Sequence, residues 1–390
     1  MPARDTVRRD RRGDGRRLAE RYHRCLSGRA LSEADRPLER RALVDRPARL
    51  EQRHAGGAGG RIFVCAEKTT LICLDAEDGK ILWQRDNDYD DVKAADPNAE
   101  VPARIPNTNR SNGYSSFTPF SDGKHVWAAF GNGVLACYDM EGNRKWIRFV
   151  DVPPHKGWGG CSSPMVVDGK LLLHIDALKA FEPTTGKPLW SQPKAKWSWG
   201  TPIPATVGDV TVVVVSGGAV VRVSDGEVMP AKVKKLAYNS PMVIGDIAYM
   251  IQKGGGAYKL KTTGDGEVTA EKLWTVEVSK DRHYGSPVLA NGLLFDIDQK
   301  GNLAVIDATN GEIVHTRKLD LGGATSYQSP TLVGDCVLVA NESGATMILK
   351  ADKAATEVAT VKLGAYRASP VVVGNRMYIR THKTMYCFGK

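Results

Sequence analysis

A Ser/Thr-Pro motif recurs through the chain, and each copy opens an apolar run that reads as a β-strand. Successive prolines are separated by 45, 38, 39, 46, 43 and 40 residues. The seven copies begin at Thr118, Ser163, Thr201, Ser240, Ser286, Ser329 and Ser369. Proline is tolerated at the first residue of a strand, where its missing N–H removes no ladder hydrogen bond. A regular spacing of this size predicts a repeat architecture rather than one layered core.

The copy from Ser286 to Lys318 shows what one unit contains. Apolar runs at 286–289, 293–297, 303–306 and 313–317 are separated by three turn signals. The first signal, Asn291-Gly292, is typical of a tight I′ hairpin, because both central residues of that turn need positive φ. Three turns at this spacing leave no room for a helix of ordinary length. The unit is therefore predicted to be a four-stranded antiparallel meander, which needs copies of itself to bury both faces.

Repetition of this unit predicts an all-β fold, a β-propeller of four-stranded antiparallel blades. An incomplete unit at 61–83 precedes the first motif and gives eight blades, with seven as the alternative. The last unit ends after a third strand, at 385–388, so closure requires an outer strand from the N-terminal segment. We divide the chain into a tail, residues 1–58, and a propeller, residues 59–390.

Positive charge is concentrated in the tail. The net charge is +10, and residues 1–60 contribute sixteen arginines, no lysine and nine acidic residues, whereas the remainder carries only +3. A nearly balanced body is not expected to bind nucleic acid. Three interpretations of the tail stay open: a disordered basic segment, an arm that binds anionic polymers, or a misplaced start site that hides a signal peptide.

Other composition signals exclude several classes of site. The seven cysteines form no C-x-x-C and no adjacent pair, so neither a disulfide framework nor a zinc site is predicted. No apolar run is long enough for a transmembrane helix, and there is no G-x-S-x-G, H-E-x-x-H or phosphate loop. The string from Asp296 to Gly301 places Lys300 where a calcium loop needs an oxygen ligand, so we predict a hairpin turn there.

The blade ends carry a second repeated pattern. Leu74–Trp83 reads LDAEDGKILW, and Ala180–Trp190 reads AFEPTTGKPLW. With the Ser-Pro openings, these residues resemble the PQQ-like β-propeller repeat family over about residues 61–390. The resemblance implies that the closing tryptophans are structural and pack between blades. They are Trp83, Trp146, Trp190 and Trp274.

The resembled family has two functional branches. Its quinoprotein dehydrogenases bind pyrroloquinoline quinone (PQQ) and calcium, and the alcohol-oxidising ones have adjacent cysteines, which this chain lacks. The resemblance therefore favours the non-enzymatic, BamB-like branch: a monomeric scaffold for a protein, peptide or carbohydrate, with no cofactor, in the periplasm or outside the cell. A cytoplasmic location follows if no signal peptide exists. The alternatives are a PQQ- and calcium-dependent oxidoreductase and an anionic-polymer binder that uses the tail.

The segments that link one blade to the next carry aromatic and cationic residues, which we call the collar. Because these linkers gather at one mouth of the channel, the collar could stack a planar ligand, a sugar or a peptide. The opposing interpretation is a packing position that every blade fills. The collar residues are Tyr114, Trp158, Trp197, Trp199, Tyr238, His283, Tyr284, Tyr327, Tyr366 and Arg367, with Lys156 and Lys196 among them.

One long insertion, residues 84–118, is rich in Asp, Asn and Pro. We predict that it is too polar to enter a core and lies in solvent. A partner-binding loop is the alternative, since long loops on rigid scaffolds often carry function.

Overall fold

A computed structural model describes residues 60–109, 112–153, 157–196, 198–381 and 384–389. Within these ranges the chain forms eight antiparallel sheets arranged as the blades of a β-propeller, so the predicted fold and blade number are confirmed. The tail and the strand that it was expected to donate lie outside the described residues. In the described part of the chain, no helix combines the length and apolar character needed to span a bilayer.

The blades are numbered along the chain. Blade one contains Arg61–Ala66, Thr70–Asp75 and Ile81–Asp86; blade two contains Phe120–Ser121, His125–Ala129, Val134–Asp139 and Arg144–Phe149. Blade three contains Met165–Val167, Lys170–His174, Ala177–Phe181 and Pro188–Lys196; blade four contains Ile203–Val207, Val210–Val214 and Val220–Arg222. Blade five contains Met242–Ile244, Ile247–Met250, Gly255–Thr262 and Val268–Val276; blade six contains Val288–Ala290, Leu293–Ile297, Asn302–Asp307 and Ile313–Lys318. Blade seven contains Thr331–Val333, Cys336–Ala340, Ala345–Lys350 and Glu357–Lys362; blade eight contains Val371–Val373, Arg376–Arg380 and Met385–Gly389.

Blade six matches its predicted four strands closely. Its first turn has positive φ at both central residues, 51° at Asn291 and 76° at Gly292, as an I′ hairpin requires. Blade four departs from the pattern, since its outer strand is reduced to one bridge between Val221 and Val228. Pro230 follows soon after and has no N–H to extend the pairing.

The Ser/Thr of each motif joins neighbouring blades through its hydroxyl. The backbone N–H of Ser240, which opens blade five, donates to Oγ of Ser286 at 2.9 Å, and the N–H of Ser286 donates to Oγ of Ser329 at 3.0 Å. The same bond recurs at 2.9–3.1 Å from Thr118 to Ser163, Ser163 to Thr201, Thr201 to Ser240, and Ser329 to Ser369. We call this series the hydroxyl chain. It runs from blade two to blade eight beside the first strands of the blades.

The four closing tryptophans lie at seams between blades. Each indole N–H donates to a backbone carbonyl of the next blade at 2.8–3.2 Å, and each indole face covers a glycine of that blade. The tryptophan, carbonyl and glycine sets are Trp83 with Met140 and Gly142, Trp146 with Pro183 and Gly186, Trp190 with Val223 and Gly226, and Trp274 with Ala308 and Gly311. A Cβ at any of these glycines would lie 2.5–2.6 Å from the ring. The glycine of one blade is thus required by the tryptophan of the preceding blade.

Blade eight closes against blade one. Arg376 donates to the carbonyl of Ala76 at 2.9 Å, and Tyr378 and Met385 share a buried apolar cluster with Ile62 and Val64. The buried apolar side chains form clusters between adjacent sheets, as they do at this contact. The hydrophobic core is therefore divided among the seams between blades.

The prediction that the 84–118 insertion is too polar to enter a core is wrong for its first part. Residues Tyr89–Ala95 form a helix that begins with a capping box between Asp88 and Asp91. Tyr89 and Val92 are buried, and the Tyr89 hydroxyl donates to the carbonyl of Asn132 in blade two at 2.7 Å. Asp88, Asp90 and Asp91 stand beside the two buried residues in the sequence and so obscured this apolar face.

Replacing Gly311 with Ala tests the seam contact. Both Gly311 and Gly266 have positive φ, 78° and 80°, but a Cβ at Gly311 meets Trp274 at 2.5 Å, whereas one at Gly266 meets nothing within 4 Å. Gly266→Ala should cost only the backbone strain, about 1–2 kcal/mol. Gly311→Ala should cost about 1–3 kcal/mol more, because the ring must move. Urea unfolding of both variants measures the difference, and equal costs would contradict the seam contact.

Candidate functional site

The collar lies on the face formed by the linkers and by the turns between second and third strands. Backbone hydrogen bonds join these two kinds of segment. Gln299 of the blade six turn donates to the carbonyl of Arg282 at 2.7 Å, and Ser326 donates to the carbonyl of Gln299 at 3.0 Å. Glu342 of the blade seven turn donates to the carbonyl of Thr325 at 2.8 Å. The linkers are therefore held to the scaffold by backbone bonds, which leaves their side chains to define the surface.

Five collar residues occupy one position of the repeat, two residues before the Ser/Thr of the motif. They are Trp199, Tyr238, Tyr284, Tyr327 and Arg367. All five are half-buried. Since the hydroxyl chain fixes the distance between neighbouring motifs, side chains at this position are brought close to those of the adjacent blades.

The structure brings three tyrosines and one arginine of this set into a continuous stack, which we call the ladder. The rings of Tyr284 and Tyr327 are stacked, with centroids 4.7 Å apart and planes at 29°. Tyr238 meets the edge of Tyr284 at 5.1 Å and 63°. The guanidinium carbon of Arg367 lies over the Tyr327 ring, 4.7 Å from its centroid. Offset and edge-to-face contacts of this kind are favourable for aromatic rings.

Two arginines give the ladder its charge. Arg367 pairs with Glu342 at 2.6 Å, so its charge is balanced locally. Arg282 lies over Tyr238 at 5.6 Å and donates to the Tyr284 hydroxyl at 3.1 Å. Among the described residues, no carboxylate forms an ion pair with Arg282. This cation is held in place by two aromatic groups and is available to a carboxylate of a bound partner. Sequence reasoning did not single out Arg282.

Tyr366 does not share this surface. Its side chain is 0% exposed, and its hydroxyl lies 2.6 Å from Oγ1 of Thr346. Burial raises the pKa of this phenol. It lies one position earlier in the repeat than the ladder residues, and successive side chains of an extended segment point to opposite sides. Tyr366 therefore enters the core, and Arg367 takes the ladder position.

The remaining collar residues are separate from the ladder. Tyr114 is half-buried and donates its hydroxyl to the carbonyl of Pro106 at 2.7 Å. Trp158 is 48% exposed, and its carbonyl accepts from Asn112. The carbonyl of Trp199 accepts from Cys161. Lys196 is exposed at the end of blade three, whereas Trp197 and Lys156 lie outside the described residues.

His283 is buried beneath the collar and pairs with Asp296. The two side chains are 4% and 1% exposed, and Nδ1 lies 2.9 Å from Oδ2. The alignment of Nδ1 with Oδ2 is poor for a hydrogen bond, although the two atoms are within hydrogen-bond distance. Burial alone would lower the pKa of His283, but Asp296 overrides that effect and raises it to about 9. The ring is therefore protonated at neutral pH. An aspartate inside the apolar run LLFDI was the sequence signal for a buried partner, and sequence reasoning missed it.

The Asp296–Gly301 string forms the predicted turn. Oδ1 of Asp298 accepts the N–H groups of Lys300 and Asn302 at 2.8 and 3.0 Å, which closes the loop between the second and third strands of blade six. Within the described ranges, no three His, Cys, Asp or Glu side chains are grouped so that they could hold a metal ion.

The charge pair of His283 should make stability depend on pH. The folded-state pKa, about 9, exceeds the ordinary value of 6.5, so the stabilisation is complete below pH 6.5 and is lost as the pH rises through 9. We expect the free energy of unfolding to fall by about 1–3 kcal/mol over this range, and His283→Asn should abolish the slope. His174 is the control: burial lowers its pKa to about 4, so His174→Asn should leave the slope unchanged. A wild-type slope that survives in His283→Asn would refute the assignment.

Ladder and core tyrosines should differ in their contribution to stability. Tyr284→Ala removes a half-exposed ring and should cost about 1 kcal/mol, the value of a ring contact. Tyr366→Ala opens a cavity in the core and should cost about 3–5 kcal/mol. Denaturant unfolding of the two variants distinguishes a binding surface from a packing position. Equal costs would favour the packing interpretation of the ladder.

Comparisons of the sequence and of the structure with known proteins agree on one family. The family described as outer membrane protein assembly factor BamB matches residues 14–179 and 174–389. The outer membrane protein assembly factor BamB of Yersinia pestis is 25% identical over 298 residues, covering 74% of this chain and 68% of that protein. The crystal structure of BamB from Moraxella catarrhalis superimposes with a TM-score of 0.57 at 11% identity, covering 90% of this chain and 98% of that one. The structural likeness supports the propeller fold, and the family match extends over nearly the whole chain. The chain belongs to the family of outer membrane protein assembly factor BamB.

Proposed function

We propose that this protein is a non-enzymatic scaffold of outer membrane protein assembly, and that it binds a protein partner through the ladder. Family membership supports the assembly role. The ladder is the observation that carries the binding role, because Tyr238, Tyr284 and Tyr327 present half-exposed rings in one continuous stack. A periplasmic location follows from the proposed role.

The chemistry of the ladder favours a protein segment as partner. Tyrosine and arginine are, with tryptophan, the residues enriched where binding energy is concentrated in protein interfaces. Tyrosine rings bury large areas at low entropic cost, since only two side-chain torsions are fixed. Arg282 adds a cation whose position is set by Tyr238 and Tyr284, so an acidic side chain of the partner can pair with it without prior reorganisation.

The backbone around the ladder supports recognition by side chains. Several linker backbone groups pair with the blade turns, as the carbonyl of Arg282 and the N–H of Ser326 do with Gln299. A partner strand would therefore gain little by pairing with this backbone. The ladder instead offers a flat aromatic surface edged by two cations.

A complementation assay tests the proposal. The chain, exported by an added leader, should restore outer membrane protein levels in a bacterium that lacks its own BamB. Tyr284→Ala and Arg282→Ala should each reduce restoration at equal protein abundance, because loss of a central interface residue weakens binding by about 1–3 kcal/mol. Lys124→Ala is the control, since Lys124 lies in the turn between the first two strands of blade two, on the opposite face.

Two outcomes would contradict the proposal in different ways. Failure of the folded wild-type chain to restore assembly would remove the assembly role. Full restoration by folded ladder variants would retain that role and place the binding surface elsewhere.

A further inference from the structure

Six lysines lie on the face that carries the collar, between the end of blade three and the second turn of blade five. We call them the lysine arc. Five of the six side chains are exposed, and that of Lys234 is half-buried. The segments that carry the arc contain no acidic residue and no arginine; they are 194–200, 215–219, 229–239 and 251–254. The lysines are Lys194, Lys196, Lys232, Lys234, Lys235 and Lys253.

Close backbone contacts between blades make the arc continuous. A Cβ at Gly217, in the turn of blade four, would lie 3.0 Å from the carbonyl oxygen of Lys196. A Cβ at Gly218, in the same turn, would lie 3.5 Å from the backbone nitrogen of Lys235. The side-chain amide of Gln252, in the turn of blade five, donates to the carbonyl of Lys235. Lysines of three successive blades are therefore neighbours on this face.

Few negative charges offset the arc. Within the described ranges, no lysine of the arc forms an ion pair. At the blade three border, Asp151 and Asp176 are both paired with Lys179, at 3.0 and 2.9 Å. At the blade five border, the carboxylate of Glu277 approaches Lys234, since both lie within 4 Å of the place that a Cβ on the turn glycine would take. Glu277 can offset one of the six charges, which leaves five.

The positive charge continues toward the ladder. Asp281 is paired with Lys300 at 3.1 Å, and the residues beside it, Lys280 and Arg282, are exposed cations. Tyr238, the first ring of the ladder, follows the last lysine of its linker by three residues. The arc and the ladder are therefore adjacent surfaces of different chemistry, one of cations and one of rings.

The opposite face of the same blades carries the opposite charge. Its turns contain eight acidic residues, two lysines and no arginine; they are 168–170, 182–187, 208–209, 223–228, 245–246 and 263–267. Blades three to five thus have one basic and one acidic face. A charge distribution of this kind turns the arc toward an anionic surface and keeps the other face away from it.

The residue type of the arc favours a lipid surface over a protein partner. Arginine is preferred where a carboxylate or phosphate is held in one fixed geometry, whereas lysine is a hydrated point charge on a flexible stem. Lysine is also depleted in protein interfaces. An anionic bilayer presents many mobile headgroups and requires no single geometry. Each lysine close to such a bilayer strengthens binding by about fivefold.

We propose that the lysine arc binds the anionic phosphate headgroups of a lipid bilayer and holds this sector of the propeller against the membrane surface. Contact through blades three to five alone tilts the propeller and leaves the ladder, on blades five to eight, open to a partner. The inference does not depend on the proposed partner binding, because vesicles without any protein test it.

Flotation of the full chain with lipid vesicles provides the test. Vesicles of phosphatidylcholine with phosphatidylglycerol should bind the protein, whereas vesicles of phosphatidylcholine alone should not. Binding should weaken steeply as salt is added, because exposed charges are screened. Absence of binding to the anionic vesicles at low salt would overturn the proposal.

Charge-reversal variants identify the surface that binds. Lys232→Glu combined with Lys235→Glu should weaken vesicle binding by at least about twentyfold, since two favourable charges are lost. The pair Lys196→Glu and Lys253→Glu, from the two ends of the arc, should have a similar effect. Replaced residues are exposed in both pairs, so thermal unfolding should be unchanged.

Lys124→Glu combined with Lys187→Glu is the matched control. Both lysines are exposed in turns of the opposite face, and the change in net charge is the same. The arginine-rich tail is present in every variant, so its contribution cancels from the comparison. The control should bind vesicles at least about tenfold more tightly than the arc variants. Equal weakening by control and arc variants would assign binding to net charge and overturn the proposal. Arc-dependent binding of a polyglutamate peptide without binding of vesicles would also overturn it and indicate an acidic protein instead.

Discussion

The hydroxyl chain is the interaction on which the geometry of this propeller depends. Each of the five inner members donates its backbone N–H to the next blade and accepts with its side chain from the previous one, as Ser286 does between Ser240 and Ser329. The motif residues from Thr118 to Ser286 are buried and Ser329 and Ser369 are half-buried, and N–H and hydroxyl satisfy each other at 2.9–3.1 Å through six consecutive links. A hydroxyl is small enough to sit between adjacent first strands and still accept a hydrogen bond. The proline that follows contributes no N–H that would need a partner.

The hydroxyl chain also explains why a ladder can form at all. Tyr238, Tyr284 and Tyr327 each precede a member of the chain by two residues. Each hydroxyl-bearing residue is one hydrogen bond away from the next. The linker segments just before these residues therefore lie close enough for the tyrosine rings to meet, with centroids 4.7–5.1 Å apart. The same residues that hold the blades together thus set the spacing of the proposed binding surface. A surface built in this way is preorganised, which reduces the entropy lost on binding.

The sequence was most informative where one local rule repeats. Blade number and the I′ turn at Asn291-Gly292 follow from spacing and turn chemistry, which every copy reinforces. Side-chain direction in the linkers was harder, because Tyr366 and Arg367 are adjacent and only their offset from Ser369 shows which one faces solvent. The helix at 89–95 was missed because Asp90 and Asp91 separate its two buried residues, Tyr89 and Val92, in the sequence. The ion pair of His283 with Asp296 joins residues thirteen positions apart. No short motif marks such a pair, since register across the blade decides which residues meet.

Departures from the repeat are where this chain differs from a generic propeller. The fourth position of the strand that contains Asp296 is apolar in every other blade, where its side chain only has to pack against the neighbouring sheet. Asp296 meets that demand poorly and requires a second buried charge, His283, to be tolerated. The ladder is the opposite case. Its three tyrosines occupy the same position of the repeat, and they can stack because all three are aromatic. Similar residues at one position produce an extended aromatic surface, whereas a single unlike residue at a seam produces a buried charge pair.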